Sequence, residues 1–484
     1  MDEKLFRTKV MGCWLGKAIG GTLGQPYEGC DGPLNLSFYD PVPTDMVPND
    51  DLDLLVLWCY VLDRMEHPTV DRKVFADAWL NHVDFPWDEY GVAIRNLKMG
   101  IPAPYSGSFD NWFTDGLGAA IRSELWACLA PGDPALAAKY AYEDACVDHA
   151  GNGIYAEQFW AAVESQAFVE SDLNKLLDCG LSVIPEDCRF AQMVRDTRAQ
   201  CAAGLDPMQI RAHSLERWGS ESFTNCVMNG AFTIMALMLG KGDFGKTICL
   251  AVNCGRDADC STATAGALLG LIDPDGIEKR WLAPIGRKLV LNAGIRDIRP
   301  PKTLDDFTDQ VIALRQRISL RDASLKDPEP DWSKYTVPAD CGFFAPWFHQ
   351  DDNRFKPVMP ETTFRKVFPG NLGTMDASEI PPDRLLMMRF RFRLDAAHAV
   401  RIMFNTNANS RVWVDGEYAF GREGGRMAPS PHRAPCNQFR NMELAAGTHE
   451  IIAGIAPMDG IEKIQWVLSV ADQKSRQWIP VKWL

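Results

Sequence analysis

The sequence predicts a chain of two parts, an all-α domain followed by a jelly-roll-like β-sandwich, and three observations predict it. Apolar residues recur at helical spacing from Phe6 to about residue 320, with no convincing alternating strand. From residue 376 onward the period switches to two, in short runs bounded by turn residues. Between them, Asp327-Pro-Glu-Pro-Asp-Trp-Ser-Lys-Tyr-Thr-Val-Pro forbids helix. The expected organisation is therefore a catalytic all-α domain over 1–320, a linker or wrapping arm over 321–375, and an accessory sandwich over 376–484.

The first helix, Phe6 to Leu23, carries glycines at 12, 16, 20, 21 and 24. No strand precedes Gly20-Gly21-x-x-Gly24 and the dinucleotide-fold spacing is absent, so these glycines are expected to let another helix approach closely. The helix gives way at Gln25-Pro26-Tyr27-Glu28-Gly29, a turn that leaves Glu28 able to reach inward. After a Pro- and Asp-rich loop, Asn49 is a good N-cap for an apolar helix that opens on Asp50-Asp51-Leu52-Asp53. An amphipathic helix over 70–83 leads into an aromatic, turn-rich stretch, 84–113. There Trp87, Tyr90 and Trp112 offer faces on which a sugar or base stacks, the competing reading being a Trp-anchored surface loop.

Helical spacing resumes over 117–129, 136–147, 157–169, 173–184, 189–203 and 224–239. The polar interruption at 147–158 holds His149 and Asn152; a lone histidine there is more often a hydrogen-bonded structural residue than a catalytic one. The stretch 251–270 starts as the polar turn Arg256-Asp257-Ala258-Asp259-Cys260 and ends as a small-residue helix suited to close packing. In the second part the alternating runs are 385–394, 400–405, 410–420, 441–445, 447–455 and 464–470, with a hairpin signal at Asp415-Gly416.

At 484 residues the chain is long enough for two domains. The formal net charge of -14 argues against a nucleic-acid or anionic-membrane partner, since both need a basic face. The 14 cysteines form no CxxC pair, and most lie in apolar helical runs as small buried hydrophobes. With no secretory pattern at Met-Asp-Glu-Lys-Leu-Phe-Arg and no apolar run of spanning length, a reducing cytoplasmic setting is expected.

Two helix starts therefore each carry a pair of aspartates. Capping explains one aspartate at each start; it does not easily explain both at the mouth of an apolar helix. Buried carboxylates are costly unless paired or bound to metal, and four of them repel one another without cations. Asp50, Asp51, Asp257 and Asp259 are thus candidates for a di-metal site, which would position a sugar diol and lower the pKa of a bound water.

These starts, in this order, resemble the ADP-ribosylglycohydrolase family, which includes the dinitrogenase reductase-activating glycohydrolase. Gly12-Cys-Trp-Leu-Gly-Lys-Ala-Ile-Gly-Gly-Thr-Leu-Gly-Gln-Pro-Tyr-Glu28 looks like its opening helix and inward-facing glutamate. Asn49-Asp50-Asp51 looks like its first Thr-Asp-Asp motif, and Asp257-Ala258-Asp259-Cys260 like its Asp-x-Asp-Thr motif. The likeness covers residues 4 to 315. It implies orthogonally packed helices around two Mg²⁺, with Mn²⁺ or Ca²⁺ as alternatives. It also implies Asn49, Asp50, Asp51, Asp257, Asp259 and Cys260 as the metal set and Glu28, Asp51 and Asp257 as catalytic residues, Glu28 as a switchable ligand or water-orienting carboxylate.

Two departures stand out. Asn49 replaces a threonine but still offers a carbonyl oxygen; Cys260 replaces a second threonine with a thiol, a poor magnesium ligand. A branch with Asp-Cys here and a Gly-Ala-x-Ile-Arg helix, as at Gly118 to Arg122, resembles this chain more closely than the protein-deribosylating members do. The implied activity is hydrolysis of an N- or O-glycosidic bond of an ADP-ribosyl, ribosyl or related sugar, the partner being a small sugar or nucleotide-sugar. The alternatives are a non-catalytic sugar- or nucleotide-binding protein that retains a metal site, and a glycoside hydrolase acting on carbohydrate. A thiol enzyme using Cys260 and His149 is a weaker third, because a thiolate is disfavoured beside two carboxylates.

Overall fold

The computed structural model describes residues 1–344, 359–427 and 429–484, so residues 345–358 of the expected linker lie outside the described residues. The helices run α1 (Glu3–Gly24), α2 (Asp50–Asp63), α3 (Arg72–His82), α4 (Asp88–Lys98), α5 (Tyr105–Ser108), α6 (Ser123–Leu129), α7 (Pro134–Ala145) and α8 (Asn152–Ala167). They continue as α9 (Leu173–Leu181), α10 (Arg189–Ala202), α11 (Pro207–Trp218), α12 (Cys226–Gly240), α13 (Phe244–Val252), α14 (Ala258–Ile272), α15 (Lys279–Leu282) and α16 (Leu304–Arg315). Most begin on an Asp, Asn, Thr or Cys whose side chain accepts from the first turn, as Asp71, Asp133, Asp172, Asn225 and Asp243 do. The chain divides into two units, one of Met1–Asp84, Pro102–Ser108 and Phe113–Asp327, the other of Phe85–Ile101, Phe109–Trp112 and Pro328–Leu484.

The centre of the first unit is the pairing of α1 with α14, and glycine makes it possible. A Cβ at Gly16 would lie 2.0 Å from the carbonyl oxygen of Gly266, and one at Gly12 would lie 2.2 Å from that of Gly270. Neither distance admits a side chain, so the two backbones touch as the small-residue pattern predicts. α14 is buried over Ala258–Leu271 and α1 over Val10–Gly24, and Trp14 of α1 packs on Phe307 of α16 with ring centroids 4.9 Å apart. The helical domain is not entirely without strand: β1 (Thr69–Val70) pairs in parallel with β2 (Ser319–Leu320). Two residues are too few to show a period of two in sequence.

The second unit holds two antiparallel sheets. The strands are β3 (Val337–Phe344), β4 (Phe364–Phe368), β5 (Leu372–Asp376), β6 (Leu385–Leu394), β7 (His398–Thr406), β8 (Asn409–Val414), β9 (Glu417–Arg422), β10 (Phe439–Leu444), β11 (Gly447–Ala456), β12 (Lys463–Asp472) and β13 (Lys482–Trp483). One sheet has the order β10-β7-β12-β5; the other runs β4-β3-β6-β11-β8-β9, with β13 beside β6. Their facing residues share one core, Met388, Phe390 and Phe392 of one sheet meeting Ile402, Phe404, Trp466 and Leu468 of the other. Asp415 and Gly416, both at positive φ, make the β8–β9 turn. The segment 321–375, expected as a linker, contributes β3, β4 and most of β5 to these sheets.

The stretch 84–113, expected as an aromatic loop, contains α4 and the short α5. Within the second unit Arg95 pairs with Asp110 at 3.0 Å, and Asp110 Oδ2 accepts the Asn371 N–H at 2.8 Å. Phe109 stacks on Trp332 with ring centroids 5.1 Å apart. No helix among the described residues is long and apolar enough to cross a membrane.

Candidate metal centre

At neither acidic helix start does an aspartate side chain serve as N-cap. Asn49 caps α2, its Oδ1 accepting the Asp51 N–H at 2.9 Å. Asp257 occupies the N-cap position of α14, but its side chain makes no capping bond. Its own N–H donates to Asn229 Oδ1 at 3.3 Å. The simplest structural use of these aspartates is therefore not the one the chain makes of them.

The α1–α14 contact fixes the geometry between the two starts. Gly24 lies on the backbone of Ala258 and Asp259, where a Cβ would come within 2.3 Å of the Asp259 Cα. Asn49 lies over Gly21, a Cβ there coming 3.0 Å from its Nδ2. That nitrogen donates to Asp259 Oδ2 at 3.2 Å, so one amide caps α2 and reaches α14. The two contacts together set its orientation, since the N–H of Asp51 needs an acceptor and a carboxylate needs a donor.

Ligand atoms of Asp51, Asp259 and Cys260 lie within 4.8 Å of one another, and all three residues are buried. Asp51 is 1% exposed and Asp259 3%. Neither carboxylate oxygen of Asp51, nor Oδ1 of Asp259, has a hydrogen-bond partner among the described residues. Below the cluster, the wholly buried Lys17 donates to Glu124 at 2.7 Å and stands 3.6 Å from Asp51 Oδ1. One ammonium does not balance this much carboxylate. Burial, with the charges of Asp259 and Glu124, pushes Asp51 up to about 7 against the pull of Lys17. Burial and the charge of Glu28 push Asp259 up to about 7 as well. Asp257 is raised by burial and by Asp259 and Glu28, and the Cys260 thiol by burial and by Asp257 and Asp259. Buried anionic oxygens without donors, at the mouths of two helices, suit a divalent cation.

Other candidate residues have different surroundings. Glu28 follows the single turn Gln25–Tyr27 and is exposed, acting on Asp257 and Asp259 through its charge. Asp50 is half-buried and its charge reaches Cys260. His149 is fully buried: Nε2 accepts the Ala119 N–H at 3.2 Å and Nδ1 lies 3.0 Å from Asp148 Oδ1. Those partners define an Nδ1-protonated ring. Asn152 starts α8, its amide donating to Asp115 Oδ2 at 3.2 Å and its Oδ1 accepting the Phe190 N–H at 3.1 Å. Trp87, Tyr90 and Trp112 belong to the second unit; Trp87 stacks on Phe85 at 4.2 Å between centroids, Tyr90 is buried, and Trp112 is half-buried.

Sequence reasoning misses Lys17, Glu124 and Asn229. Lys17 does leave a signal, a charged residue between Gly16 and Ala18 in an otherwise apolar helix, which burial obliges to find a carboxylate.

Fold and cluster together define a helical domain, followed by a β-sheet domain, with a buried acidic site of the kind that takes a cation. A family model, ADP-ribosylglycohydrolase, matches residues 2–318. The chain belongs to the ADP-ribosylglycohydrolase family, and this membership supports a glycohydrolase-type function. An uncharacterized protein of Archaeoglobus fulgidus is 25% identical over 311 residues, covering 58% of this chain and 91% of that protein. A solved structure described as an ADP-ribosylglycohydrolase-related protein complex covers 65% of this chain and 99% of its own, at 19% identity and a TM-score of 0.46.

Proposed function

We propose that the protein is a metal-dependent glycohydrolase that hydrolyses an N- or O-glycosidic bond of an ADP-ribosyl, ribosyl or related sugar compound. One observation carries this reading: Asp51 and Asp259, from two separate helix starts, are buried together, and both Asp51 oxygens and Asp259 Oδ1 accept from no nitrogen or oxygen donor among the described residues. Asp50, Asp51, Asp257 and Asp259 would hold the cations, two Mg²⁺ by family resemblance, with Mn²⁺ or Ca²⁺ as alternatives. Bound there, a divalent cation supplies Lewis acidity toward sugar hydroxyls and a nucleophilic water at neutral pH. Glu28, exposed and acting on Asp257 and Asp259 through its charge, would orient the attacking water, and Asn49 holds Asp259 in place. The oxocarbenium-like charge that develops at the anomeric carbon is stabilised by the acidic surroundings. His149 and Asn152 are proposed to act by fixing the chain around the start of α8. The free cysteines support a reducing, cytoplasmic setting.

The test is release of free sugar from a panel of ADP-ribosylated peptides, O-linked ADP-ribose derivatives, nucleosides and glycosides, with and without chelator. Product is expected only with a divalent ion, and Asp257→Asn is expected to lower turnover on the order of 100-fold or more with the circular dichroism unchanged. No product from any substrate with any divalent ion overturns the proposal. Thermal stabilisation by a sugar or nucleotide under those conditions would establish the non-catalytic binding reading instead.

A further inference from the structure

We propose that the position bounded by Asp51, Asp259 and Cys260 takes a borderline transition-metal ion such as Co²⁺, Zn²⁺ or Fe²⁺, bound through Cys260 Sγ, in preference to Mg²⁺. The inference rests on the divalent-cation reading above and concerns which ion the site selects. Three features carry it. The Cys260 sulfur stands with one oxygen from each of two carboxylates inside a 4.8 Å cluster, and no other such cluster occurs among the described residues. Both Asp51 oxygens and Asp259 Oδ1 are buried and accept from no nitrogen or oxygen donor among the described residues. The Cys146 and Cys254 thiols donate to the Glu143 and Leu250 backbone carbonyls, whereas the Cys260 thiol interacts with the Asp51 and Asp257 carboxylates.

The donor set decides the ion. Mg²⁺ is hard, demands oxygen and keeps its waters, and a thiol in its shell is a ligand lost. Ions from the later first row accept a mixed set of two carboxylates and one thiolate and bind it more tightly. On coordination the Sγ–H bond breaks, the proton passes to solvent, and the sulfur lone pair forms the metal bond. Asn49 is oriented by two hydrogen bonds, its amide nitrogen donating to Asp259 and its oxygen accepting from the Asp51 N–H.

The full chain, stripped with chelator and loaded with one equivalent of Co²⁺, tests this by absorption spectroscopy. A near-ultraviolet sulfur-to-cobalt charge-transfer band is expected, absent from Cys260→Ser and Cys260→Thr while the visible cobalt bands remain. The variants are also expected to lower the Co²⁺ affinity about tenfold or more relative to Mg²⁺. Visible cobalt bands with no charge-transfer band in the wild type would show oxygen-only binding and overturn the thiol assignment while leaving the divalent reading standing. A charge-transfer band that persists in both variants would place the metal on another cysteine and overturn it too. Failure to take up Co²⁺, Mg²⁺ or Mn²⁺ by equilibrium dialysis would instead remove the divalent reading itself. If one variant fails to fold, the other supplies the comparison; if both do, X-ray absorption on the wild type decides, through presence or absence of a sulfur scatterer at about 2.3 Å.

Discussion

Asn49 Nδ2 donates to Asp259 Oδ2 across 3.2 Å, joining residues 210 positions apart in the chain. The same side chain caps α2 through its oxygen, so a local structural duty and a long-range positioning duty fall on one amide. The two duties can be separated. Asn49→Ser keeps a capping oxygen but is too short to reach Asp259, whereas Asn49→Ala loses both. Urea denaturation is expected to show a loss of about 1 kcal/mol for Ala and a few tenths for Ser. Turnover and divalent affinity are expected to fall in both; a Ser variant with wild-type affinity would remove the positioning role.

Glycine at 21 carries a related prediction. A Cβ there comes 3.0 Å from Asn49 Nδ2, whereas one at Gly16 comes 2.0 Å from a backbone oxygen of α14. Gly21→Ala gains helix propensity, about 1 kcal/mol, and meets only a side chain that can swing away. Gly16→Ala forces two helices apart, at a cost on the order of 3 kcal/mol. Thermal melts should therefore separate the two, with Gly21→Ala near wild type and Gly16→Ala far below it. Activity is expected to fall in Gly21→Ala despite its stability, since the swing breaks the Asn49–Asp259 bond.

How much of this is visible in the residues alone depends on where each signal resides. The α1–α14 contact is legible because glycines at 12, 16 and 20 and small residues over 263–270 repeat at helical spacing. The four aspartates are legible because Asp50-Asp51 and Asp257-x-Asp259 stand at the mouths of apolar helices. By contrast α4 reads as loop, because Pro86 precedes it and its buried residues include the polar groups Asp88, Glu89, Arg95 and Asn96. The expected linker hides β3 to β5 for a similar reason: Pro338, Gly342 and Gly373 break the alternation that pairing with β6 and β12 restores. The need of Lys17 for Glu124, 107 residues away, lies beyond any local pattern.

The acidic cluster sets the direction of a pH effect. Asp51 and Asp259 are pushed up to about 7, chiefly by burial, while an unfolded aspartate ionises near pH 4. Between those values the folded chain binds more protons than the unfolded one, so their contribution makes cation-free stability fall as pH rises through that window. Bound divalent ion replaces the protons and reverses the trend. With chelator present, the wild type is expected to lose more melting temperature than Asp259→Asn on going from about pH 5 to about pH 8. Equal losses in the two proteins would show that Asp259 does not titrate in this window.

The last prediction concerns the buried cation beneath the site. Lys17 is 1% exposed, with Glu124 Oε1 at 2.7 Å and Asp51 Oδ1 at 3.6 Å, and Glu124 is fully buried. Lys17→Met keeps the length and apolar stem of the side chain but removes the charge, leaving two buried carboxylates without compensation. Breaking one side of such a pair costs about 3–5 kcal/mol. Glu124→Leu alone leaves Lys17 facing Asp51 and is expected to cost less, because one carboxylate still balances the ammonium. In the double variant Asp51 has lost its ammonium and lies with Asp259 at the mouth, where a bound cation can meet both. The double-mutant cycle is therefore expected to show coupling of at least about 1 kcal/mol between Lys17 and Glu124. The double variant should also melt at higher temperature with saturating divalent ion than without it. Additive losses in urea denaturation would mean that Lys17 is held by packing alone and that Asp51 draws nothing from its charge.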